Sequence, residues 1–155
     1  IVCDSPAGIE KGANLALYFA DDAFVVTNPE ISSVRDSDRM LGILSSKSRR
    51  AERNEEPIKE YLLLTRYDLD RVRLGEMLSL EDVQEILSLH LLGIIPESKS
   101  VLSASNAGIP VILDEKSEAG QAYADVIARY LEEERPHRFI DSKQGFFRRL
   151  FGGRK

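Results

Sequence analysis

Asp4 stands where an apolar triplet, Ile1-Val2-Cys3, gives way to Ser5-Pro6-Ala7-Gly8. A carboxylate at the end of a buried strand is a hard oxygen ligand on a rigid element. Magnesium at a phosphate site needs such a ligand, acting directly or through water. Gly8 would let a backbone N–H approach a terminal phosphate, because no Cβ intervenes. The bland alternative is structural, since Asp starts turns well at the end of any buried strand. The rest of a nucleotide site is missing from the sequence: there is no G-x-x-x-x-G-K-[ST] and no Gly-Lys pair to cradle phosphates.

A second constellation closes the chain. From Phe146, at about 100° per residue, Phe147 lies at about 100°, Leu150 at about 40° and Phe151 at about 140°. Four large apolar groups thus share one arc, and Arg148 and Arg149 point away from it. Aromatics on one side and cations on the other suit a helix lying in a bilayer surface. The competing reading is a terminal helix docked on the domain's own core. A polar connector (Asp141 to Gln144) and the basic character speak against docking. Each buried Phe or Leu is worth roughly 1.5–3 kcal/mol and each cation near an anionic leaflet about 1 kcal/mol. Partial insertion and helix formation remove much of that, so one copy should bind weakly. Two copies on a dimer would gain about 10²–10⁴-fold in avidity.

Charge separates these two regions. Of 21 Lys and Arg and 26 Asp and Glu, five bases and no acid lie from Lys143 onward, leaving residues 1–142 at a net −10. Phosphate repels such a body, so nucleic acid is not an expected partner. At 155 residues and 43% apolar content the chain suits one folded unit rather than a disordered chain. Cys3 cannot close an internal bridge, which favours a reducing compartment. His90 and His137 stand far apart, with no metal-ligand spacing. There is no apolar run long enough to span a membrane and no signal-peptide pattern.

The elements that must position these residues alternate. Ile1–Cys3, Ala23–Thr27, Tyr61–Thr65 and Leu91–Ile95 read as buried strands. Residues 9–20, Glu30 to about Arg50, a segment capped by Ser79 with Asp82, and a segment from Ser117 to Arg135 read as helices. Continuous apolar strands are covered on both faces, so the class is α/β with a mainly parallel sheet flanked by helices, followed by a C-terminal amphipathic helix. Ile31, Val34, Leu41 and Leu44 form one helix's inner stripe. Ala119, Ala122, Tyr123, Val126, Ile127, Tyr130 and Leu131 form another's. Ligands of parallel sheets bind at the strands' carboxyl ends: here after Asp4, at Asn28-Pro29, at Thr65-Arg66 and at Pro96-Glu97. His90, just ahead of a strand, reads as structural.

I-V-C-D-S-P-A-G-I-E at 1–10, T-N-P-E-I-S-S-V-R-D-S-D-R at 27–39, L-L-T-R-Y-D at 63–68, I-P-E-S-K-S-V at 95–101 and the terminal G-F-F-R-R-L-F-G-G together resemble the MinD family of septum site-determining ATPases, within the ParA-type deviant P-loop ATPases. The resemblance covers essentially the whole chain and corresponds to the family's carboxyl-terminal part. It implies an incomplete P-loop NTPase-like domain over residues 1–138, then a linker and membrane-targeting helix over 139–155. It also implies an ATP-dependent homodimer that uses Mg²⁺, binds anionic phospholipid on the cytoplasmic face of the bacterial inner membrane, recruits the division inhibitor MinC and is stimulated by MinE.

By the same resemblance Asp4 is the acidic residue closing the second phosphate-site strand, with Ser5 to Gly8 the adjoining switch. Arg66, Pro96 and Glu97 contact the base. Asp36 and Asp38 engage partners. Phe146, Phe147, Leu150 and Phe151, flanked by Arg148 and Arg149, enter the membrane. The phosphate loop with its two lysines would lie upstream, so residues 1–155 alone are expected neither to bind nor to hydrolyse ATP. Two alternatives stand beside this reading: a partition ATPase whose cargo is DNA, and a non-enzymatic membrane adaptor.

Overall fold

A computed structural model describes residues 1–5 and 11–140, with residues 11, 12 and 14 described by their backbone alone. The order is α1 (Lys11–Tyr18), β1 (Asp22–Thr27), α2 (Ile31–Lys47), α3 (Arg49–Glu52), β2 (Lys59–Tyr67), α4 (Leu69–Leu74), α5 (Leu80–Leu87), β3 (His90–Pro96), α6 (Lys99–Ala107), a 3₁₀ turn (Val111–Leu113) and α7 (Glu118–Tyr130). The strands form a parallel sheet, β1-β2-β3, with β2 in the centre. The expected α/β class with a helix-flanked parallel sheet is what the chain adopts. Among the described residues no helix is long and apolar enough to cross a membrane.

Side chains alternate along β2, and in β3 an irregularity at Leu92-Gly93 sends Leu91 and Ile94 to one face and Leu92 and Ile95 to the other, so the sheet feeds two cores. On one face Val25, Leu62, Leu64, Leu91 and Ile94 pack with Val34 of α2 and Leu80, Val83 and Leu87 of α5. On the other, Leu63, Leu92 and Ile95 meet Ala119, Ala122 and Val126 of α7. The β2–β3 register slips between Leu62 and Leu63, where Leu63 pairs with Gly93 rather than Leu92. Gly93 then lies under α7: a Cβ there would stand 2.3 Å from Val126 Cγ2. The Ser79–Asp82 capping box forms as expected, with the Asp82 carboxylate 3.0 Å from the Ser79 backbone N.

Several expectations need correction. Ile1–Cys3 is not a strand here: none of the described strands pairs with it, Ile1 and Val2 are exposed, and an extended segment becomes a strand only through a partner. The sheet accordingly has three described strands instead of four. The helix expected over Glu30 to Arg50 breaks at Ser48, whose extended backbone and Oγ, accepting from the Ala51 N–H, start α3 afresh. On its stripe Val34 and Leu44 are buried, whereas Ile31 in the first turn is exposed.

Finally, α7 stops at Tyr130 rather than at Arg135-Pro136. Glu132 turns to φ 66°, and the N–H groups of Glu132 and Glu133 close on the carbonyls of Arg129 and Ala128, a Schellman arrangement. Ile127 and Leu131 stay exposed: at about 80° and 120° round the helix from Ala119 they share the side of Gly120, which is covered only near the helix start, by the Asp114 and Val111 carbonyls at the 3₁₀ turn.

Candidate functional site

The carboxyl ends of β2 and β3 open into a cleft of roughly 410 Å³. The floor and walls come from Ile95, Val101 and Tyr123, and the rim from Thr65, Arg66, Pro96, Glu97 and Ser98. Its size and mix of apolar wall with a few polar edges suit a small flat ligand. Three residues read from the sequence as base contacts, Arg66, Pro96 and Glu97, therefore meet at one place.

Local backbone explains how. Leu64 pairs with Ile94 but Tyr67 with Pro96, so β2 carries one residue more than β3 over this stretch. The surplus falls around Arg66, whose φ is 55°, a left-handed conformation uncommon for a side chain of this size. Such bulges re-aim side chains, and backbone of this kind is held only where the surroundings enforce it. Here Arg66 Nε donates to Glu97 Oε2 at 3.0 Å, and the Glu97 N–H donates to the Tyr67 carbonyl at 2.9 Å. Both charged side chains remain about half exposed or more, at 65% and 49%. The pair leaves a guanidinium plane and a carboxylate at the mouth of the cleft.

The β1 end is tied in by polar contacts. The Thr65 hydroxyl lies 2.9 Å from Asn28 Oδ1 and 3.3 Å from the Thr27 carbonyl. Pro29 is buried, and its carbonyl accepts from the Leu78 N–H at 3.0 Å. Beyond β3, Ser98 caps α6, and hydroxyl contacts of 2.7 and 2.6 Å run from Ser98 through Ser100 to Ser117, the cap of α7. Two helix starts are thus fixed beside the cleft.

The phosphate half of the expected site has no counterpart among the described residues. Asp4 is exposed and does not line the cleft, and Gly8 lies outside the described residues. Among the described residues no three His, Cys, Asp or Glu side chains gather to hold a metal ion. The described residues therefore offer a recess for a small flat ligand but do not assemble a magnesium site. Asp36 and Asp38 are exposed on α2, apart from the cleft, and Asp36 pairs with Arg39 at 3.2 Å. Phe146, Phe147, Arg148, Arg149, Leu150 and Phe151 lie outside the described residues. His90 is exposed at the start of β3 against the Tyr61 ring.

Ser98 and Ser105 of the cleft were not picked out from the sequence, and Tyr123 was read only as a core position. The helix of the two serines, α6, has clear ends that could have located them: Ser98 as the cap and Gly108, at φ 67°, as the stop.

No protein-family model matches the chain. It is 69% identical over 154 residues to the septum site-determining protein MinD of Escherichia coli strain K12, covering 99% of this chain and 57% of that protein. The chain thus spans little more than half the length of the curated relatives it matches. Among solved structures it is similar to a chain of the MinC:MinD cell division protein complex of Aquifex aeolicus. There the TM-score is 0.77 at 40% identity, covering 89% of this chain and 54% of that one. It is also similar to the septum site-determining protein MinD of Pyrococcus horikoshii complexed with Mg-ADP. That likeness has a TM-score of 0.66 at 26% identity, covering 82% of this chain and 48% of that one.

Proposed function

Since the chain belongs to the MinD family of septum site-determining proteins, we propose that it supplies the base-binding and membrane-anchoring part of an ATP-switched ATPase that selects the division site. The observation that carries this reading is the convergence of Arg66, Pro96 and Glu97 on one cleft at the sheet's carboxyl edge. The Mg-ADP held by the Pyrococcus relative supports nucleotide and magnesium as the ligands. ATP's base lies against Arg66, Pro96 and Glu97, while Asp4 and Gly8 serve the magnesium and phosphates together with a phosphate loop that the longer relatives have room to carry.

ATP closes two copies into a homodimer. The paired segments with Phe146, Phe147, Leu150 and Phe151 then hold it on anionic phospholipid at the cytoplasmic face of the bacterial inner membrane, and Arg148 and Arg149 face the headgroups. The exposed face bearing Asp36 and Asp38 receives MinC, a role supported by the MinC:MinD complex among the similar structures. MinE stimulates hydrolysis and so releases the protein.

Co-sedimentation with anionic vesicles tests the switch, using the polypeptide at its relatives' full length. ATP should carry far more protein into the pellet than ADP. Equal partition with the two nucleotides overturns the proposal.

A further inference from the structure

Past Tyr130 the chain doubles back along α7. The Arg129 guanidinium donates to the carbonyls of Arg135 at 2.9 Å and Pro136 at 2.6 Å, and also to Leu92 of β3 at 2.9 Å. Arg138 then reaches Asp125 and, at 2.8 Å, Gln121 Oε1. Gln121 in turn donates to the Glu115 carbonyl at 2.8 Å. Each successive contact lies nearer the start of α7, so residues 133–140 head for the 3₁₀ turn.

That turn and the adjoining α6 expose an apolar patch. Leu102, Ile109, Ile112 and Leu113 are 39–70% exposed, and the exposed acids Asp114 and Glu115 border them. Val101 and Val111 beside them are packed into the α7 core, so the patch rests on a firm base. Such a cluster on an otherwise charged surface marks an interaction site.

We propose that this patch holds the chain's own segment Phe146–Phe151 whenever that segment is not in lipid. The match is chemical: phenylalanines and a leucine meet leucines and isoleucines, and Arg148 and Arg149 meet Asp114 and Glu115. Charge fixes orientation here more than it adds affinity. Reach is sufficient. The connector 139–145 spans up to about 23–25 Å when extended, whereas Gln121 is one helical turn, about 5 Å, from the start of α7. Docking in cis would keep single subunits off the membrane and surrender the segment to lipid when two tails act together. This inference rests on the reading of the segment as a lipid anchor.

The test pairs two readouts on the full chain. Amide hydrogen exchange over residues 101–115 is compared between the chain and its Phe147→Glu variant. Partition onto anionic vesicles is compared between the chain and its Leu113→Glu and Ile109→Glu variants, both altered at exposed positions that do not line the cleft. Docking predicts faster exchange at 109–113 in Phe147→Glu. It also predicts, for a segment docked in nine molecules of ten, about tenfold stronger vesicle partition in the patch variants. Unchanged exchange and unchanged partition overturn it, as does protection that grows with protein concentration, which would mean a second copy occupies the patch. Protection in a chain that never binds vesicles would uphold the docking and sink the anchor.

Discussion

Arg66 reaches Glu97 across the ends of β2 and β3, Nε to Oε2 at 3.0 Å, from a backbone held at φ 55°. An exposed pair of this kind contributes about 0–1 kcal/mol, whereas a left-handed non-glycine residue costs about 1–2 kcal/mol. The conformation is therefore not maintained by the ion pair's own strength. Glycine would relieve the strain but loosen the unfolded chain by about 0.5–1 kcal/mol. Arg66→Gly should leave the unfolding free energy, measured by urea denaturation, within about 1 kcal/mol of the parent. In the polypeptide at its relatives' length, nucleotide affinity should fall about 10–100-fold, the worth of a charged hydrogen bond. Retained affinity in a titration would remove Arg66 from the site.

Gly120 lies against the backbone of the 3₁₀ turn and the residue after it. A Cβ there would stand 2.4 Å from the Asp114 carbonyl oxygen and 2.6 Å from that of Val111, both backbone atoms that cannot swing aside. Gly120→Ala should cost at least about 1–3 kcal/mol, the usual range for overpacking. Gly93→Ala meets a side-chain methyl of Val126 instead and should cost less. Urea denaturation of the two variants gives the order; a reversed order would mean the 3₁₀ turn yields more readily than α7.

His137 gives the strap formed by residues 133–140 along α7 a pH response. Burial, helped by Arg129 and His90 and opposed by Asp125, pushes its imidazole below the ordinary 6.5, while Arg138 stands at the other side of the same small recess. Its Nδ1 is buried without a hydrogen-bond partner among the described residues. The unfolded chain therefore takes up the proton first, and stability falls as pH drops through 6.5 toward the lower folded value. Above 6.5 both states are neutral and the effect vanishes. The thermal midpoint should decline between pH 7 and 5, more in the parent than in His137→Gln. Parallel declines would assign the acid sensitivity elsewhere.

Phe147→Glu or Leu150→Glu puts a carboxylate among the apolar groups proposed to enter lipid. Vesicle binding should be lost in the full-length polypeptide with nucleotide affinity unchanged, since the cleft is lined by described residues between Thr65 and Tyr123. Measured together, sedimentation and nucleotide titration separate loss of the anchor from loss of the fold.

Long patterned elements were legible in the sequence for a physical reason. β2, β3 and α5 bury whole runs of Leu, Ile and Val, and the Ser79–Asp82 box announces its helix three residues ahead. The short helices were missed because α4 buries no residue fully and α6 none either, so neither leaves an apolar stripe. Their caps, Asp68 with Gly75 and Ser98 with Gly108, carried the signal instead. Arg66, Pro96 and Glu97 came from family likeness, while the register slip that brings Arg66 round to Glu97 depends on how two strands pair. Ile1–Cys3 misled because hydrophobicity describes what a segment wants to bury, not whether a neighbour exists to bury it against.

Arg129 joins the last segment to the sheet itself, since one guanidinium grips both the strap and the Leu92 carbonyl. β3 ends at Pro96, with Glu97 next, so the strand that edges the cleft is also the strand to which the carbonyls of Arg135 and Pro136 are tied through one side chain.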